Sequence, residues 1–371
     1  MKEERDFAGF VLPFAAGTFF TTGQYSYLYQ HLPYAGSCLF LTSALLLASL
    51  IHPKIRLGSP ALVMTIISLT GLSAGAFAGI TSSIMEAGGT APALFTWMEE
   101  AGSRTGHAID CIGFSDTGIN ALLKALITGE KDNIPPYITD SFRASGASHI
   151  LALSGFHLGI IYGMISLSLS WMGGHRRSVI IRSVLITAIC GAYTAATGTG
   201  ASTVRAFLFI LLGEAARLFH RKASTASILL SAMLIQLLVS PASIHSVSFQ
   251  LSYAAMAGIA FIFPWMKSLW PEEDKDEVRQ WRLLRRIWIS ASLSVSCQLT
   301  TGPLAWYYFD SFPRHFLLTN LIAIPLTGVI IPAAIMTLIL DTFGICPHFI
   351  LSITESLAEA LISSLEIIAS M

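Results

Sequence analysis

The stretch SHILALSGFHLGIIYG, Ser148 to Gly163, sets two histidines, two serines and three glycines in a run apolar enough to cross a membrane. Side chains of these types support three kinds of chemistry. An imidazole at that depth can hydrogen-bond a neighbouring helix, face a wet cavity or pore, or act as base toward a serine nucleophile. On one unbroken helix, Gly155, Gly159 and Gly163 share an arc of about 80°. Such a GxxxGxxxG stripe lets another helix pack almost backbone to backbone. His149, Ser154 and His157 then share the opposite side, within roughly 140°. A Ser154–His157 catalytic pair has no third orienting group at a convincing spacing, so no catalytic residue is assigned. Bonding to neighbouring helices and the lining of a pore or crevice both stay open.

The elements that must hold these residues follow from composition. Of 371 residues, 53% are hydrophobic and only 12% charged, and the mean hydropathy is +0.65. Soluble domains carry about twice that share of charge, so the pattern is that of a polytopic membrane protein. Apolar runs of about 20 residues, the length that spans a bilayer, occur at 8–29, 35–51, 60–81, 148–172, 178–198, 202–218, 224–240, 246–265, 287–308, 316–340 and 347–370. The expected fold is therefore all-α, a transmembrane helical bundle of about 11 spans. The start, MKEERDFAGF, has a mixed-sign head and no clear cleavage site, and reads as a retained first helix. Zero net charge excludes nothing about partners. The five cysteines (Cys38, Cys111, Cys190, Cys297, Cys346) form no CxxC or Cys/His cluster, so neither a metal site nor a disulfide framework is supported. No cofactor motif occurs, and no GxxxxGK[ST] loop is present to hydrolyse a nucleotide.

Lysines and arginines set the orientation. With the N-terminus in the cytoplasm, sixteen of the twenty-two fall at inner ends, from Lys2 and Arg5 to Arg285 and Arg286. Arg104, Lys124, Lys131, Arg143 and Arg314 fall outside, and Arg205 lies within a span. The C-terminus is then extracytoplasmic. Residues 82–147 form the long outer loop, with eight acidic residues against four basic. Within it, SDTGINALLKALITG starts on capping residues and stops at Gly129, and PPYITDSFRASG starts at Pro136 and stops at Gly146. Both read as short extracytoplasmic amphipathic helices lying against the outer face of the bundle. The inner segment EVRQWRLLRRIW puts Trp281, Leu284 and Trp288 on one face and Arg279, Arg282 and Arg286 on the other. It reads as an interfacial helix on membrane lipids, or as a nucleic-acid exit surface.

Further polar residues punctuate later spans. Arg205, three residues after GTGAS, either snorkels to the outer interface or contacts phosphate at a pore mouth. Gln250 and Ser252 lie in the eighth span and Asn320 in the tenth; bonding between helices explains such residues as well as a lined path does. Pro325 and Pro332 predict a kinked or broken tenth helix, and Gln298, Thr300, Thr301 and Pro303 give the ninth the same character. The first three spans are blander and read as peripheral.

The run ALITGEKDNIPPYITDSFRASGASHILALSGFHLGII resembles the signature of the ComEC-type competence proteins, the inner-membrane DNA-uptake channels of natural transformation. There a short ALLxGD-like helix precedes a GxSHLLAxSGLHxGL helix. Downstream, GTGASTVRAFLF, SPASIHSVSFQLSYAAMAGI and TGPLAWYYFDSFPRHFLLTNLIAIP resemble three more of the family's segments in the same order, so the likeness covers roughly 118–340. It implies a division into N-terminal transmembrane helices (1–81), a short extracytoplasmic segment (82–117) where relatives carry an oligonucleotide-binding-fold domain, and a competence-type channel domain (118–371). It also implies single-stranded DNA as cargo, an extracytoplasmic DNA receptor and a cytoplasmic helicase-like ATPase as partners, with a homodimer left open. The family's metallo-β-lactamase-like domain has no counterpart and no HxHxDH cluster occurs, so the chain is expected to be a channel and not an enzyme. Two other readings remain: a channel-like relative that moves another solute or serves as a partner subunit, and an intramembrane hydrolase using Ser154 and His157.

Overall fold

The computed structural model describes residues 2–22, 60–85, 104–131, 133–173, 175–197, 201–220, 223–271, 279–310 and 315–371. Every regular element among them is helical. Three of the helices are long and apolar enough to cross a membrane: Arg176–Ala196, Val247–Ser268 and Phe316–Thr342. The expected span at 35–51 and residues 86–103 of the 82–117 segment lie outside the described residues. The helices gather into two compact units that are not consecutive in the chain. One comprises Met1–Ala91 with Lys222–Ala257, the other Pro92–Arg221 with Gly258–Met371.

In the first unit, α1 (Lys2–Thr21) and α2 (Pro60–Met85) run parallel and in intimate contact. A Cβ on Gly71 would strike the carbonyl oxygen of Phe10, one on Gly75 that of Phe14, and one on Gly17 that of Leu72. Only glycine permits this approach. Two hydroxyls seal it, Thr18 Oγ1 donating to the Gly75 carbonyl at 3.2 Å and Ser68 Oγ to that of Gly9 at 3.0 Å. These helices, expected to be bland, hold the tightest packing among the described residues of the unit. Against α1 lies α9 (Thr225–Val239), followed by the 3-10 turn Pro241–His245 and α10 (Val247–Ala257). Gln250 Nε2 donates to the Ile244 carbonyl at 3.0 Å, and Tyr253 Oη to Gln236 Oε1 at 3.1 Å. Ser252 is half-buried on the same helix.

The second unit is built on one cluster of buried side chains contributed by several helices. The short helices α3 (Thr117–Thr128) and α4 (Pro136–Ala144) form where their punctuation places them. Asp116 caps α3 by accepting from the Gly118 N–H at 2.7 Å, and Gly129 ends it with a φ of 85°. Ile119, Leu122, Leu126, Ile138 and Phe142 are buried with Ile330 and Ile331 of α13 (Phe316–Thr342) and Leu361 and Leu365 of α14 (His348–Ala369). The pair therefore belongs to the core. Lys124 of α3 bridges Asp110 at 2.8 Å and Glu130 at 3.1 Å. The hydrogen bond to Asp110 holds its ammonium above the usual lysine range.

Helix continuity departs from expectation at Ser154 and at Arg279, and of the two alternatives for the tenth span the break is excluded. The run 148–172 is not one helix: α5 (Ser148–Leu151) ends, the backbone turns extended at Ala152, and α6 (Gly155–Ser168) begins afresh. Conversely, α13 continues through Pro325 and Pro332 without interruption. The basic segment beginning at Arg279 is no separate interfacial helix but the first turns of α12 (Arg279–Phe309), which continues through Pro303. Its Trp288 packs on Trp270, ring centroids 5.9 Å apart, and donates Nε1–H to the Met266 carbonyl of α11 (Phe263–Ser268) at 3.3 Å.

Candidate functional site

The break between α5 and α6 arises from local chemistry. Ser154 adopts an extended conformation (φ −129°, ψ 170°) and caps α6, with His157 three residues on completing a reciprocal capping box. The Ser154 N–H donates to His157 Nδ1 at 3.3 Å, and the Ser154 hydroxyl lies 3.1 Å from the same nitrogen. His157 thus does what Glu or Gln does in the commoner box. Its ring is buried, 1% exposed, and its Nε2 has no hydrogen-bond partner among the described residues.

The proposed single polar face does not exist as expected. His149 is exposed on α5, its Nδ1 donating to the Gly146 carbonyl at 3.2 Å, whereas His157 is buried on α6 beyond the extended segment. Among the described residues the glycine stripe is met by a neighbour at one position. Only Gly155 meets a neighbour, its position for a Cβ lying 3.1 Å from that of Ala206. Gly159 and Gly163 are exposed, and a Cβ on either would meet nothing within 4 Å among the described residues. Spacing creates a smooth face, but whether a helix lies on it depends on the rest of the fold.

Two helices back the break, α7 (Arg176–Ala196) and α8 (Ala201–Leu218). Leu158, Ile186 and Cys190 form their shared core, with Tyr162, Ala206 and Phe207 packed around it. Arg205, next to Ala206 in α8, is among the largest fully buried side chains at 1% exposed. Snorkelling to an interface does not describe it. Further along α8, Glu214 is 2% exposed and saturated with donors. Tyr162 Oη donates to Oε1 at 3.0 Å, Ser183 Oγ to Oε2 at 2.7 Å, and Arg217 Nη1 to Oε1 at 2.6 Å. Arg217 Nη2 also reaches the Tyr162 hydroxyl at 3.2 Å. Alongside, Arg182 Nη2 donates to Ser166 Oγ at 2.6 Å. Glu214 had a signal in the sequence, a carboxylate inside an apolar run, that charge counting for orientation passed over.

Helix α13 lies against α6. Its Thr319 Oγ1 donates to the Ser145 carbonyl at 2.7 Å, tying its start to the turn that leads into α5. The next residue, Asn320, has a buried Oδ1 with no hydrogen-bond partner among the described residues, as does Thr327 Oγ1 two turns on. His157, Arg205 and Asn320 thus sit on three helices of one unit that pack on or beside α6. Gln250 and Ser252 belong to the other unit. No group of three or more His, Cys, Asp or Glu able to hold a metal ion occurs among the described residues.

Comparison with known proteins places this arrangement in a family. The sequence model described as Competence protein matches residues 126–371, which include the break and its neighbours. The chain is similar to "Uncharacterized protein YcaI" of Escherichia coli (strain K12), 26% identical over 235 residues, 61% of this chain and 30% of that protein. It is similar to "ComE operon protein 3" of Bacillus subtilis (strain 168), 24% identical over 220 residues, 59% of this chain and 26% of that protein. The chain thus spans less than a third of the length of either relative. No solved structure matches it. With more than half of its residues matched, this competence-related membrane protein belongs to the Competence protein family.

Proposed function

We propose that the chain forms the inner-membrane channel through which single-stranded DNA enters the cytoplasm during natural transformation. The observation that carries this reading is the family match over 126–371, whose residues include the helix break at Ser154, ahead of the apolar helix Gly155–Ser168. Broken helices at membrane depth are tolerated where protein or a cavity satisfies the freed backbone groups, and a transport route needs such a cavity. His149, Ser154, His157, Arg205 and Asn320 are the path candidates in the second unit; Gln250 and Ser252 are those in the first. The chain is not an enzyme in this reading. An extracytoplasmic receptor delivers DNA, since the acidic outer loop would not concentrate a polyanion, and a helicase-like ATPase draws it inward. The membrane path comprises about 11 spans with the N-terminus cytoplasmic. The parallel run of α1 and α2 fits a chain that crosses twice in the same direction.

Removing the chain from a naturally transformable host tests the function, with selected-marker transformants as the readout. Their loss, restored by the chain in trans, is the expected result; undiminished transformation refutes the reading. Orientation has its own test. Lys124 is held in ion pairs, so a better outer labelling site is Arg143, whose side chain is 82% exposed. In a cysteine-free background, Arg143→Cys should react with an impermeant thiol reagent added to intact cells, and Arg282→Cys only after permeabilisation. Reaction of Arg282→Cys in intact cells inverts the topology.

A further inference from the structure

Among the described residues Arg182 is a cation with no counter-ion. It stands six residues into α7, about 9 Å along the axis from the helix start, and α7 is long and apolar enough to cross a membrane. Its Nη2 donates to Ser166 Oγ of α6 at 2.6 Å, and its Nε is buried with no hydrogen-bond partner among the described residues. Glu214, reached by the adjacent Ser183, already holds Arg217 at 2.6 Å and two hydroxyls. The polar network of α6, α7 and α8 thus sets two guanidiniums against one carboxylate. Snorkelling would carry an arginine out to water, but Ser166 keeps this one against α6. A charge kept in an apolar span without a partner is costly, and a bound anion removes that cost.

The faces beside Arg182 are bare and apolar. Seven residues bring a helix back to nearly the same side, so Gly159 lies in line with Ser166 on α6, and Ile189 in line with Arg182 on α7. Both lines lead from the polar pair toward the interiors of the helices, over about 10 Å. Gly159 and Gly163 are exposed, with open space where a Cβ would stand, and Ile181, Leu185 and Ile189 are exposed on α7. One cationic group at the end of such an apolar track outlines a phospholipid, phosphate at the end and acyl chain along the track. A DNA strand would set further phosphates along the same lines, where α6 and α7 offer it only glycine and isoleucine. The rest of the edge specifies the headgroup's charge. Arg176 and Arg177 are exposed at the start of α7, and neither helix carries an acidic residue. Their field favours a headgroup with net negative charge over a zwitterionic one.

We propose that the edge between α6 and α7 binds an anionic phospholipid, its phosphate on Arg182 and the Ser166 hydroxyl and one acyl chain along Gly163 and Gly159. Ser166 Oγ accepts from Arg182 and keeps its own hydrogen to donate to the same phosphate. Basic pockets between membrane helices on the cytoplasmic side hold such headgroups, and the orientation proposed above puts this edge there. The site depends on the membrane setting alone and not on the cargo.

Native mass spectrometry of the purified full chain measures the binding. Released from detergent micelles, the unsubstituted chain should retain dioleoylphosphatidylglycerol at concentrations where it retains no dioleoylphosphatidylcholine. Arg182→Gln should weaken that retention about tenfold or more, the loss expected for one bond to a charged group, and Arg182→Lys should weaken it less. Arg282→Gln makes the same change of charge on α12 and should leave retention as it was. Gly159→Leu fills the acyl track without touching the headgroup contacts, so retention should fall several-fold while the membrane level holds. That variant judges the site if Arg182→Gln fails to accumulate. In nanodiscs, phosphatidylglycerol with a diazirine midway along one acyl chain should crosslink to residues 155–168. Equal retention of the two lipids, or equal loss in Arg182→Gln and Arg282→Gln, would overturn the site. So would full retention in Gly159→Leu, or crosslinks confined to helices other than α6 and α7. Oligodeoxythymidylate that displaces phosphatidylglycerol from the unsubstituted chain and does not bind Arg182→Gln would make the occupant a DNA strand and overturn the lipid. The transformant count tests the channel separately, so either can fail alone.

Discussion

Gly75→Leu is expected to remove most of the protein from the membrane, while Gly159→Leu leaves its level nearly unchanged. The contrast reverses what sequence spacing suggests, since Gly159 occupies the centre of the more regular glycine stripe. A Cβ on Gly75 would overlap the Phe14 carbonyl oxygen, a backbone atom that cannot rotate aside. Helices α1 and α2 must separate to admit it, losing the Thr18 bond to the Gly75 carbonyl as well. Overpacking of this kind costs about 1–3 kcal/mol or more, a large part of a protein's net stability. At Gly159 a leucine meets no described atom within 4 Å of its Cβ, and leucine favours a helix more than glycine does. Immunoblots of washed membranes measure both. Equal loss in the two variants would show that the α6 face is covered in the membrane, for example by a second copy of the chain.

Replacing Glu214 by leucine should have the second-largest effect, and replacing it by glutamine a small one. The carboxylate accepts from Tyr162, Ser183 and Arg217, joining α6, α7 and α8 through one side chain. Leucine strands two hydroxyls in the packed interior and takes the counter-charge from Arg217. Breaking a buried pair by removing one partner costs about 3–5 kcal/mol. The lower end applies here, because the Arg217 side chain is 47% exposed and can turn to solvent. Glutamine retains an acceptor for Ser183 or Tyr162 and loses mainly the half-exposed charge pair, worth about 1 kcal/mol or less. Thermal aggregation of the purified variants should therefore rank Glu214→Gln close to the unsubstituted protein and Glu214→Leu far below. A leucine variant as stable as the parent would mean that the network contributes nothing to holding the three helices together.

Local signals were the legible part of this fold. Asp116 and Gly129 bracket α3, and Pro136 and Gly146 bracket α4, because capping and stopping depend on a few adjacent residues. Hydropathy located the apolar helices, since burial in lipid needs only composition over a window. The same averaging concealed the break at Ser154, where one serine cap outweighs its apolar neighbours and a histidine fills a position more often held by Glu or Gln. Prolines did not break the helices that carry them. Pro303, Pro325 and Pro332 lie inside α12 and α13, which continue past them; packed neighbours can accommodate the freed carbonyls that sequence counts as a break. Glycine spacing showed that close packing was available without naming the partner, so the stripe in α6 drew attention and Gly71 and Gly75 did not. At the candidate site, His157 was legible as a polar residue at membrane depth. Its role as cap and its open Nε2–H depend on where the helix begins, which three-dimensional structure alone settles.

Entry of DNA into the cytoplasm is the central claim, and its most direct measurement separates binding from passage. Competent cells with and without the chain are given end-labelled duplex DNA, treated with external nuclease, and fractionated to recover cytoplasmic label. Cells lacking the chain should bind DNA at the surface as well as the parent does, yet hold no nuclease-resistant label in the cytoplasm. Nuclease-resistant cytoplasmic label at the parental level in those cells would contradict the channel outright.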